Sequence, residues 1–195
     1  MTNKITNFER KTFTKINYTE KILRDTEFYK CKFMGCVFSK SDLIGNSFDS
    51  CTFENCDFSM AKIQGAGFQN ATFKDCKILG VDFSECNKFM FSFTFHNCHL
   101  DYATFFGTRL LKTTFDKCSL RETDFSKVNL TASVFSDCNL SGAIFSNTIL
   151  EKVDFRTAKN FSIDPEYNKL KKAKFSVFNL EGLLYKHQLE IEYNV

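Results

Sequence analysis

From Thr26 to about Thr157 one large apolar residue recurs every five positions, from Phe28 to Phe83 and again from Phe95 to Phe155. These 25 slots hold 16 Phe and 9 Leu or Ile. A period of five is neither the 3.6 of a helix nor the 2 of a strand, so neither amphipathic template fits. A fixed short repeat predicts a solenoid instead, in which each unit buries its apolar residue by stacking on its neighbours. Two residues before each large slot stands a small one, such as Cys31, Cys36, Ala61 and Ala103. A spacing of two puts both on one side of an extended strand. Each unit therefore turns one large and one small side chain inward and leaves three mostly polar ones in water.

The cysteines set the coil length. Cys98, Cys118 and Cys138 are twenty residues apart, as are Cys36, Cys56 and Cys76. If like stacks on like, one coil is twenty residues, or four faces of five. Stacked parallel strands lie about 4.8 Å apart, so residues 26–157 predict six to seven coils and a rod about 30 Å long. Gly35, Gly45, Gly65 and Gly80, with Asn55 and Asn70, fall two residues after a large slot and suit corners between faces. In the second run Phe and Leu alternate, which predicts two opposite Phe-lined faces and two Leu-lined ones.

Units such as Cys138-Asn139-Leu140-Ser141-Gly142 and Cys51-Thr52-Phe53-Glu54-Asn55 resemble those of the pentapeptide-repeat proteins, over about two thirds of the chain. The resemblance implies an all-β fold, a right-handed quadrilateral parallel β-helix, with a short C-terminal α-helix as a cap. It also implies a homodimer paired through the C-terminus. The best-known members, the Qnr quinolone-resistance proteins, bind DNA gyrase and topoisomerase IV, so the resemblance raises a type II topoisomerase as partner. A repeat describes a scaffold, whereas function lies in sites built on it.

The pattern falters in three places. Over residues 1–25 Phe8, Phe13, Tyr18 and Leu23 keep the grid, but Lys11 and Lys21 occupy small slots. Inward lysine is costly unless the coil is incomplete, so this segment reads as an irregular cap, with room for one loosely formed coil. Near residues 87–92 the grid slips by two, and Phe89-Met90-Phe91-Ser92-Phe93 alternates like a strand. A bulge is expected there, with the extra rings filling a wider core or with Phe89, Met90 and Phe91 forming a surface for a partner. Over residues 158–195 the repeat ends. A crossing loop with the sole Pro is followed by a solvated basic cluster, Lys169 to Lys174, and by a helix capped by Asn179 and running through Gln188. The strand-like Leu189–Tyr193 ends the chain. Phe175, Phe178, Leu180, Leu183, Leu184, Leu189, Ile191 and Tyr193 carry more apolar surface than one coil end can bury, which marks them as the dimer interface.

Charge and chemistry narrow the function without naming it. The net charge is +3, yet residues 26–91 sum to −1 and 92–157 to zero, so the rod carries mixed signs. That favours neither nucleic acid nor the continuous acidic face a DNA mimic needs. All nine Cys occupy small inward slots, so they read as reduced apolar fillers rather than disulfides or metal ligands. His96 and His99 flank Cys98, but an inward Cys98 makes no nucleophile pair with them. No catalytic set, cofactor motif, membrane span or signal peptide is recognised, and the expected location is cytoplasmic. The expected role is a non-enzymatic protein-interaction scaffold, with topoisomerase binding as the sharper alternative.

Overall fold

The computed structural model describes residues 6–192. Its strands are short because every fifth residue turns a corner. They are β1 (Thr6–Glu9), β2 (Thr12–Thr14), β3 (Thr26–Tyr29), β4 (Lys32–Met34), β5 (Ser47–Asp49), β6 (Thr52–Glu54), β7 (Phe68–Lys74), β8 (Phe91–His96), β9 (Thr114–Asp116) and β10 (Val134–Ser136). Strands β1, β3 and β5 form one parallel face, and β2, β4, β6, β7, β8, β9 and β10 another. The other two faces are joined by single parallel bridges, such as Asn17 to Val37 to Asp57 to Lys77. Partners lie twenty residues apart, as in Phe33 opposite Phe53 and Phe115 opposite Phe135. The chain is a four-sided parallel β-helix.

Corners require left-handed backbone. The residue two places after a large slot takes a φ between +50° and +70° along most of the rod. Glycines fill some of these corners, but lysines such as Lys112, Lys117 and Lys152 fill others, at the steric cost a Cβ imposes there. Glu85 is a corner position that does not take this conformation, and the grid slips just after it.

Stacked rings fill the interior. Phe95, Phe115, Phe135, Phe155 and Phe175 form one column with centroids 4.8–5.3 Å apart and nearly parallel planes. Phe83, Phe105, Phe125 and Phe145 form the opposite column. The columns meet edge-on at the axis, as between Phe115 and Phe125 (5.9 Å, 82°), a favourable ring geometry. The expected pair of Phe-lined faces is therefore present in the second half. The small slots also stack. Cys36, Cys56, Cys76, Cys98, Cys118 and Cys138 are buried one above another, and their thiols donate to main-chain carbonyls, as from Cys138 to Phe115 O (3.3 Å). Burial pushes the Cys51 thiol up to about 12, and the contact with Cys118, followed by burial, pushes Cys98 to about 12. All nine cysteines are free and buried. Non-reducing denaturing mass spectrometry should find nine thiols and no native disulfide, and alkylation of the native protein should be slow. Fast modification of any core thiol would contradict this packing.

Both ends correct the sequence reading. Residues 6–25 are a full coil, in register with the next through β1–β3 and β2–β4. Lys11 and Lys21 are tolerated because they are exposed at the rim of this end coil. At the other end the solenoid runs on to Phe175. Ile149 bridges Lys169, Asp154 bridges Lys174, and Phe175 stacks on Phe155. Phe161 and Ile163 are buried in this coil, where Asn160 and Pro165 hide the repeat. The supposed crossing loop and basic cluster are thus one more coil.

Candidate interaction surfaces

The C-terminal cap is built from the last coil upward. A 3-10 turn over Val177–Asn179 leads into α1 (Glu181–Leu184), and a second 3-10 turn spans Tyr185–His187. The N-cap of the first turn is Ser176, not Asn179, and α1 begins after Leu180, which gives no side-chain cap. Ser176 Oγ accepts from the Phe178 N–H (3.3 Å), and Asn179 Oδ1 accepts from the Ser176 N–H (3.0 Å). The Asn179 amide also donates to the carbonyls of Phe155 and Ala158, both at 3.1 Å, and so fixes the cap to the coil below. Gly182 sits so close that an added Cβ would strike the Phe161 carbonyl and ring. Lys186 Nζ reaches Asp164 and Glu166, each at 2.9 Å. Hydrogen bonds to both carboxylates, Asp164 first, raise the Lys186 ammonium, while the Lys186 bond holds Asp164 below its usual range.

The residues expected at a dimer interface divide. Phe175 and Leu183 pack on the core and close the solenoid. Phe178 is 75% exposed, and Leu180, Leu184, Leu189 and Ile191 are also exposed. The expected terminal strand does not form over Leu189–Glu192, and Tyr193 lies outside the described residues. Sequence reading missed Ser176, Gly182 and Lys186. Only the S-x-x-N spacing of Ser176 and Asn179 signalled a cap.

At the register break the rings divide between core and surface. Phe93 is buried in a small slot, against Phe83 (5.4 Å, 80°) and Phe68 (5.6 Å). Phe91 packs edge-on to Phe93 at 4.7 Å. Phe89 is 97% exposed. Strand β8 pairs Phe91 with Phe68 but Phe93 with Ala71, so the bulge replaces a corner. Ser92 Oγ stands in for part of the lost ladder by accepting from the Asn70 N–H at 2.7 Å. Met90 lies where a side chain on Gly67 would be, so Gly67 makes room for the insertion.

Cys98 is inside the wall while His99 is outside, and His96 faces Asp116 at 3.4 Å. Among the described residues no group of three His, Cys, Asp or Glu could hold a metal, and no helix is long and apolar enough to cross a membrane. Surface charges alternate between coils, as in Lys32 to Glu54 at 3.0 Å. Burial opposes ionisation of Asp101, but hydrogen bonds from Ser119 and Arg121 outweigh it and hold the carboxyl low. Arg121 Nη2 lies 2.7 Å from Asp101. These pairs tie coil to coil, and among the described residues no uninterrupted acidic column runs along the rod.

Known structures share this architecture. The full-length structure of QnrB1, a plasmid-mediated fluoroquinolone resistance protein, matches with a TM-score of 0.56 and 17% identity, over 94% of this chain and 100% of that one. A trypsin-treated variant of the same protein matches at 0.58 and 19%, over 96% and 100%. HetL, a pentapeptide repeat protein involved in heterocyst differentiation regulation in the cyanobacterium Nostoc, matches at 0.45 and 14%, over 87% and 86%. No curated protein sequence matches. At these identities the likeness to QnrB1 speaks for the fold alone. The family models for pentapeptide repeats in nine copies and for a pentapeptide repeat region match residues 23–72 and 108–184. With the twenty-residue coils, these matches place the chain in the pentapeptide-repeat family.

Proposed function

We propose that this protein is a non-enzymatic, cytoplasmic protein-interaction scaffold that pairs as a homodimer through its C-terminal cap. The exposed apolar residues of the cap carry the reading. Phe178, Leu180, Leu184, Leu189 and Ile191 are exposed together at one end of the rod. Twofold pairing is the commonest way to bury such a surface. Light scattering at micromolar concentration should report a dimer. Leu184→Glu with Leu189→Glu should give a monomer that keeps its circular dichroism, because neither side chain belongs to the coil core. A monomeric native protein would refute the pairing.

The fold shared with QnrB1 supports topoisomerase binding as the alternative partner reading. The mixed charge of the walls weighs against duplex mimicry. A gyrase supercoiling assay with and without a quinolone separates the two. Protection of supercoiling would favour the topoisomerase partner, and no effect would leave the scaffold reading.

A further inference from the structure

The register break does more than bulge. Along most of the rod each coil bonds to the next, as in Thr104 N–H to Val81 O and Asn129 N–H to Thr108 O. By the same pattern the Arg109 N–H should meet the Cys86 carbonyl, but no backbone hydrogen bond joins residues 84–91 to 105–112 among the described residues. Lys88 and Phe89 stand exposed outside the wall, Met90 O accepts from the Phe68 N–H at 2.6 Å, and beside them lies a cleft of about 460 Å³. That volume is within the range of small-molecule sites. Its lining includes Cys86, Phe89 and Phe91 together with Lys88, Arg109 and Lys127, and Phe89 stands almost wholly in solvent.

The charge of the cleft is one-sided. No carboxylate lines it, and no ion pair neutralises Lys88, Arg109 or Lys127 among the described residues. Lys127 is held over the Phe106 ring at 5.1 Å, which steadies the ammonium without cancelling it. Glu85 and Asp82 precede the cleft in sequence and do not line it. A guanidinium fork, two ammonium groups and an unmet backbone N–H all seek an acceptor. Aromatic side chains beside them suit a flat apolar body. We infer that this cleft is a binding site for a small aromatic carboxylate, with its ring against Phe89 and Phe91 and its carboxylate between Arg109, Lys127 and Lys88.

The three cations come from the insertion and two successive coils, so no linear motif announces them. The site is independent of the C-terminal pairing. Calorimetric titration of the full chain with 1-naphthoate should give saturable, one-to-one binding. Neutral 1-naphthamide should bind at least tenfold more weakly. Arg109→Gln with Lys127→Gln should weaken naphthoate at least tenfold, whereas Lys169→Gln with Lys171→Gln on the last coil should leave it unchanged. If the cleft pair fails to fold, Phe89→Ala, at a fully exposed side chain, should still weaken binding several-fold. No heat up to the solubility limit, equal binding of the amide, or indifference to both cleft variants would overturn the site.

Discussion

Raising the pH above about 9 should unfold this protein steeply. Six buried thiols carry the effect. Cys51 and Cys86 are pushed up by burial first, while Cys56, Cys98 and Cys118 are pushed up first by the stacked thiol above them and then by burial. Cys76 is also raised, to about 12, despite a lowering contact from Cys56. In the unfolded chain a thiol ionises near 8.5, whereas the folded one keeps its proton. Below that pH both states hold the proton and folding loses nothing. Above it only the unfolded state releases protons, so stability falls by about 1.4 kcal/mol per pH unit per thiol. Six thiols withdraw about 8 kcal/mol per unit, against a typical total of about 5–15 kcal/mol. Guanidinium titrations from pH 7 to 10 should show this loss setting in above about 8.5, and Cys56→Ala with Cys118→Ala should lower its slope by about a third. A flat stability across that range would mean that the thiols are not enclosed as described.

Phe115→Ala should destabilise the protein by about 3–5 kcal/mol. The ring is fully buried, stacked on Phe95 at 5.3 Å and Phe135 at 4.8 Å, and edge-on to Phe105 and Phe125. Its removal leaves a gap in the middle of a column. The coils above and below cannot close that gap, because the main-chain ladder holds them apart. Asp116, one residue on, points outward, and its carboxylate makes a half-buried contact with His96. Asp116→Ala should change stability by no more than about 0.5 kcal/mol. Chemical denaturation of the two variants tests the assignment of inward and outward positions, and equal losses would defeat it.

The break and the cap show where sequence reading reached its limit. The slip of two residues after Cys86 was visible, as was the alternating run that follows. Which ring turned inward was not visible, because Phe89, Phe91 and Phe93 share one strand face by spacing. The free volume between the end of the Phe68 column and the start of the Phe83 column chose Phe93. The last coil was hidden because Asn160 and Pro165 stand in large slots, although Leu170 and Phe175 lie twenty residues beyond Leu150 and Phe155. The strand expected at Leu189–Tyr193 had alternation but no neighbouring edge, and its described part makes no ladder.

The sequence by itself determined the period, the coil length, the inward slots and the two facing Phe columns. It could do so because every coil is templated on an identical one, so a local pattern carries the global geometry. Tertiary structure alone decided what happens where that template fails. At the N-terminal rim solvent accepts Lys11 and Lys21. At the C-terminal rim the carbonyls of Phe155 and Ala158 recruit Asn179. At the break the lost ladder gathers Lys88, Arg109 and Lys127 around one cleft. These arrangements depend on which atoms lie across a gap in space, and residues on separate coils record no such neighbours in their order along the chain.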